Sequence, residues 1–264
     1  MKRNAIIAGF VVVLLGALVG FYVIRKNGTK EPVAEESSKK RIVEPTNVIS
    51  QEERPYLAIV PEADGRRITI KVSSIRKPAT ETEYTVEYQT GTLVQGFQGL
   101  LKLDSIPASE TSLMGSCSAG GACTYHTDIK GGDLTTRFIG PENYSLKTEW
   151  KYFENKARES EFSSSDGKFQ ITLKALSSIK YLIIGQSSGV PEGYDGVIAS
   201  EPYFLEASSS LKGEAELSIR SSQEGELTII GWTGDTWKVF DTTQDGKMAS
   251  ATVDLLPLYV VITK

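Results

Sequence analysis

Tyr144-Ser145-Leu146-Lys147-Thr148-Glu149-Trp150-Lys151-Tyr152 decides how this chain is read. Tyr144, Leu146, Thr148, Trp150 and Tyr152 point one way, and Ser145, Lys147, Glu149 and Lys151 the other. That is the period-two pattern of a half-buried strand, here with an aromatic inner face. The same alternation lies on both sides. Upstream, Ile68, Ile70 and Val72 alternate with Arg67, Thr69 and Lys71, and Tyr84, Val86 and Tyr88 with Glu83, Thr85, Glu87 and Gln89. Downstream, Phe169, Ile171 and Leu173 alternate with polar residues, as do Ala215, Leu217 and Ile219. The runs Tyr181 to Ile184, Leu227 to Trp232 and Tyr259 to Ile262 lack the alternation and read as more fully buried strands.

Turn signals separate these segments: Asp64-Gly65, Thr90-Gly91, Gly131-Gly132, Asp166-Gly167, Gly234-Asp235 and Asp245-Gly246. Most supply the positive-φ residue that a tight hairpin needs. Beyond residue 30 no long 3.6-residue stripe appears, only possible short helical turns at Asn155 to Phe162 and Ser208 to Lys212. Short strands with regular turn punctuation predict an all-β protein. The polar stretch Lys156 to Gly167 splits it into two antiparallel β-sandwich domains, residues 55–156 and 157–264, with one larger sandwich as the alternative.

The start of the chain reads differently. Lys2 and Arg3 precede twenty uncharged residues, Ala5 to Ile24, and Arg25, Lys26 and Lys30 follow. At 1.5 Å per residue about 20 apolar residues span a bilayer, and a cleaved signal is usually shorter, so residues 5–24 are expected to be an uncleaved transmembrane anchor after a short cytoplasmic tail, residues 1–4. The positive charges beyond the anchor argue for a cytosolic body. Against them, long domains cross largely regardless of charge, and a basic start before an apolar run is how exported chains are addressed. The expected location is the cell membrane, single-pass, with the C-terminal domains extracytoplasmic. Residues 25–54 are polar and lack aromatics, the composition of a disordered stalk.

Chemistry is sparse. Of 264 residues one is histidine, His126, and the net charge is −4 with no local basic patch, which leaves nucleic acid without a footprint. Both cysteines, Cys117 and Cys123, sit in Gly115-Ser116-Cys117-Ser118-Ala119-Gly120-Gly121-Ala122-Cys123-Thr124-Tyr125-His126. Small residues between them let the chain double back, and export gives an oxidising compartment, so a local disulfide is the first reading. A thiolate nucleophile with His126 as base and Arg137 as oxyanion partner is the functional alternative, but no third orienting residue stands at a known spacing. Zinc would need Asp128 as an invented fourth ligand, and Asp241 to Gly246 lacks the alternating oxygens of a calcium loop. Ser177 to Lys180 and Ser209 to Lys212 match Ser-x-x-Lys without the Lys-Thr-Gly strand that such enzymes need. Trp232 and Trp237 are either core anchors or a sugar-stacking platform and, with His126, are the candidate binding residues.

The block Tyr88 to Trp150, with its CxxxxxC and the strand Gly131-Gly132-Asp133-Leu134-Thr135, resembles segments of uncharacterised single-pass bacterial envelope proteins. The second half, with Ala199-Ser200-Glu201-Pro202-Tyr203, Ala215 to Ile219, Leu227 to Trp237 and Leu258 to Ile262, is similar to ZU5-like and immunoglobulin-like β-sandwich modules. The resemblance implies a binding or spacer module without catalytic residues. The expected function is therefore a membrane-anchored binding or structural module of the cell envelope, not an enzyme, with no cofactor and no metal. Its expected partners are the lipid bilayer, through the N-terminal helix, and a protein or glycan of the envelope. The alternative is an anchored envelope enzyme, a cysteine hydrolase or transpeptidase, using Cys117, Cys123 and His126.

Overall fold

The structure, a computed structural model, describes residues 45–264. The expected tail and anchor and residues 25–44 of the expected stalk lie outside the described residues. Among those described, no helix is long and apolar enough to cross a membrane.

The chain is all β. Its strands are β1 (Tyr56–Pro61), β2 (Arg67–Ser74), β3 (Glu81–Thr90), β4 (Leu93–Lys102), β5 (Ala108–Leu113), β6 (Gly115–Cys117) and β7 (Cys123–Tyr125). Then come β8 (Ile129–Ile139), β9 (Tyr144–Glu154), β10 (Glu161–Ser163), β11 (Phe169–Thr172), β12 (Tyr181–Gln186), β13 (Val197–Ile198) and β14 (Tyr203–Ala207). The last are β15 (Glu214–Arg220), β16 (Leu227–Trp232), β17 (Trp237–Val239), β18 (Thr243–Asp245), β19 (Met248–Asp254) and β20 (Leu258–Thr263). The stretch that decided the reading is β9, with Tyr144, Leu146, Trp150 and Tyr152 buried. The short helical turns expected over 155–162 and 208–212 do not form. Helical turns occur at Gln51–Glu53 and Lys174–Ser178 instead.

A ten-stranded sheet runs β17-β16-β20-β14-β12-β9-β8-β3-β4, with β13 beside β20. A three-stranded sheet, β1-β2-β5, and a five-stranded sheet, β10-β11-β15-β19-β18, accompany it. Two cores explain how they stack. Ile183, Phe204, Ile230, Leu258, Val260 and Ile262 join Leu57, Ile59, Ile68, Ile70 and Val72 in the first. Their alternate neighbours Leu182, Ile184, Tyr203, Leu205, Ile229, Tyr259 and Val261 join Phe169, Ile171, Leu217, Ile219 and Val253 in the second. Central strands β12, β14, β16 and β20 are thus covered on both faces, which is why their sequences are unbroken apolar runs. Strands β3, β8 and β9 bury chiefly one face, into the first core, and they alternate.

The reading in two halves at residue 156 meets a sheet that runs through the boundary: β9 pairs antiparallel with β12, Tyr181 opposite Glu154 and Gly185 opposite Trp150. The expected stalk ends earlier than Arg54. Thr46 bridges Ser145, the Asn47 side chain both donates to the Lys147 carbonyl and accepts its amide, and Arg54 donates to the carbonyls of Asn47 and Ile49. Polar composition concealed this because the docking uses polar side chains bonded to backbone groups, with little apolar burial. Five of the six turn dipeptides connect strands. Gly131-Gly132 instead lies inside β8, where Gly131 has φ +105° and the register with β3 slips between Gln89 and Thr90, a bulge that glycine permits.

Candidate functional site

A concave surface forms where four connections meet at one end of the ten-stranded sheet. The first is the β1–β2 turn. Burial alone would raise the Asp64 carboxyl, but the Arg66 and Arg67 amides and the Arg67 guanidinium, 2.8 Å away, hold it below the ordinary carboxylate range. Gly65 follows at φ +65° with the Tyr181 ring directly over its α-carbon.

The second is the β6–β7 hairpin. Cys117 pairs with Cys123 across the ladder, and their sulfurs are bonded to each other. The Met114 amide donates to the Arg66 carbonyl and the His126 amide to the Met114 carbonyl, tying the base of the hairpin to the β1–β2 turn. The Arg66 guanidinium lies 4.2 Å from the Tyr125 ring centroid. His126 Nδ1 shares a 2.8 Å hydrogen bond with Tyr88 Oη, whose pKa burial pushes up to about 12, so the phenol stays protonated.

The third and fourth are the entry to β8 and the β9–β10 connection. Asp128 has φ +54°, a conformation that hydrogen bonds from Gly91 to the Asp128 carbonyl and from Thr90 to the Thr127 carbonyl hold in place. Asn155 accepts the Glu159 amide at 2.7 Å and donates to the Glu159 and Leu176 carbonyls, shaping the loop past β9.

Two adjoining depressions result. One, of about 440 Å³, takes in Arg66, Tyr125, His126, Tyr152 and Lys180; the other, of about 480 Å³, takes in Lys130, Lys151, Phe153, Glu159 and Phe162. They share Thr127, Asp128, Ile129, Tyr152 and Glu154. These volumes suit a small ligand or a few residues of a larger one. The rim alternates charge and ring: Lys180 sits 4.9 Å from the Tyr181 ring and Lys151 5.0 Å from Phe153, while Lys156 pairs with Glu154 at 2.8 Å and Lys130 with Asp128. Charges of both signs over aromatic surface fit a polar, extended partner better than one compact ion.

His126 therefore lines the cleft, and the disulfide closes the hairpin above it. With both sulfurs in the bond, neither is a thiolate. Among the described residues no group of three or more His, Cys, Asp and Glu side chains converges on a metal position. Trp232 and Trp237 lie elsewhere. Their strands stand at one edge of the sheet, β16 three strand steps from β12 and four from β9, the strands that line the cleft. Their ring centroids are 5.4 Å apart, Tyr194 meets Trp237 edge-on, and both indoles are half-buried against the first core. Trp237 Nε1 donates to the Pro191 and Glu192 carbonyls. Sequence reasoning missed Arg66, Tyr125, Tyr152 and Lys180. The signal it had was the pairing of lysine with an aromatic at strand ends, as in Lys151-Tyr152 and Lys180-Tyr181.

Set against known proteins, the chain matches no family model, no curated protein and no solved structure.

Proposed function

We propose that this chain is a membrane-anchored, extracytoplasmic module of the cell envelope that binds a protein or glycan partner. In this reading residues 5–24 form the anchor and residues 25–44 a stalk. The β body comprises two sandwiches, residues 55–156 and 157–264, that use one sheet in common. The observation that carries the proposal is the Cys117–Cys123 disulfide, on a hairpin whose residues 116–125 are exposed. A bond so open to reductant persists in an oxidising compartment, and the basic-apolar-basic start of the chain supplies the route there. The cleft beside the hairpin supplies the binding surface. Because the disulfide consumes both thiols, the chain is read as a binder and not as a cysteine-dependent enzyme.

The test is topological and then chemical. Protease added to intact cells or spheroplasts degrades the body before lysis, and protection until lysis overturns the proposal. Retention of its host's solubilised envelope proteins and glycans by the full chain, immobilised in mild detergent, should fall at least tenfold in Arg66→Ala/Tyr125→Ala, two residues of the cleft rim. Unchanged retention removes the cleft from the proposal.

A further inference from the structure

The two depressions of the cleft adjoin a third, of about 400 Å³, which shares Asn155 and Lys156 with one of them and Lys180 with the other. Arg158, Ser177 and Ser178 also line it, and no carboxylate does. Elsewhere in the cleft the acids are mostly neutralised by neighbours. Asp64 pairs with Arg67, Asp128 with Lys130 and Glu154 with Lys156, so that among the described residues Glu159 is the lining carboxylate without a cation partner. Four cations, Arg66, Lys151, Arg158 and Lys180, line the same three depressions and form no ion pair among the described residues. On a chain whose net charge is −4, the cleft carries the opposite sign.

The cations are also spread out. Tyr181 pairs with Glu154 across β9 and β12, and the Asn155 amide donates to the Lys180 carbonyl, so Lys180 stands beside Asn155, four positions from Lys151, or about 13 Å at the usual strand rise. A small anion does not span that distance, whereas a chain that repeats its charge does. Taking the cleft as this module's binding surface, on which the inference rests, we propose that its ligand is an acidic glycan, a sugar chain bearing repeated carboxylates. Sugar rings have apolar C–H faces and polar rims, and the lining offers a match for both. Tyr125 is 37% exposed, and half-buried Phe153 has the Lys151 ammonium 5.0 Å from its ring. Arg66 over Tyr125 and Lys180 beside Tyr181 set charged donors next to ring surface, where a sugar carboxylate would be received. An extended acidic peptide is bound instead by adding its backbone to an open strand edge. Strands β8, β9 and β12, which line the cleft, are each paired on both sides and leave it none.

The experiment titrates polygalacturonate into the full chain in mild detergent and follows binding by calorimetry. Dextran serves as the neutral sugar chain, and poly-glutamate and oligothymidylate as polyanions on other backbones. Polygalacturonate is expected to bind at least about tenfold more tightly than the other three, and to weaken as salt is raised. Lys151→Glu/Lys180→Glu should lower its affinity about tenfold with an unchanged circular dichroism spectrum, and Lys151→Arg/Lys180→Arg should keep it. Lys102→Glu/Lys212→Glu, the same change of charge at exposed positions outside the cleft, should leave it unaltered. Binding of poly-glutamate or oligothymidylate as tight as that of polygalacturonate overturns the glycan assignment. Equal loss in the two glutamate pairs also overturns it, since net charge alone would then explain the binding. So does a wild type that fails to bind polygalacturonate. If that wild type still retains solubilised envelope components, the binding-module reading stands and the acidic glycan alone is lost.

Discussion

At Gly65 an added β-carbon would stand 2.1 Å from Cζ of Tyr181, at a φ of +65° that side chains rarely adopt. The Tyr181 ring belongs to the first core and is 7% exposed, so it cannot swing aside. Gly65→Ala is therefore expected to cost about 2–4 kcal/mol, adding backbone strain to overpacking, as read from urea unfolding. Glu206 makes a different prediction. On β14, against Tyr56 and Lys71, it is pushed by burial from an ordinary 4.5 to about 7, and the nearby Lys71 charge only partly offsets the rise. The folded state then binds the proton more tightly than the unfolded state. Stability is full below about pH 4.5, falls as pH rises toward 7, and is flat above. The loss is roughly 1–3 kcal/mol, and Glu206→Gln should abolish it and be the more stable protein at pH 8. The Asp64-Gly65 turn was legible in the sequence. The ring above it was not, because Tyr181 is 116 positions away and only the sheet brings it there.

Among the elements, the β6–β7 hairpin is held by its own ladder and by the Cys117–Cys123 bond. Loop-closure arithmetic for so short a loop gives about 2 kcal/mol. Cys117→Ser and Cys123→Ser should therefore lower stability by equal amounts of that order, each losing the same cross-link, whereas a nucleophilic role would make the two differ in activity. His126→Ala removes one hydrogen bond to Tyr88 and should cost about 1 kcal/mol. The strands themselves were readable from alternation, and the central ones from its absence. Partner strands were not: the unbroken runs of β12, β16 and β20 announce burial on both faces without saying what covers each. The cleft was the least legible feature, since its lining comes from loops and from the ends of β8, β9 and β12, which only the fold brings together.

For the molecule as a whole, the shared sheet makes a prediction that a chain of two independent sandwiches would not. A fragment ending at Lys156 keeps β1 to β9 but loses Ile183, Phe204, Leu258, Val260 and Ile262 from the first core, and leaves the far edge of β9 unpaired. It should show no cooperative unfolding transition, while the whole chain shows one.

The central claim, an exported and disulfide-closed binding module, is tested most directly by the state of its sulfurs. Protein drawn from its own host, quenched in acid, unfolded and treated with iodoacetamide without reductant should gain no mass, and should gain two carbamidomethyl groups only after reduction. Alkylation of Cys117 and Cys123 without reductant would show that the body resides where thiols stay reduced, and would contradict the account.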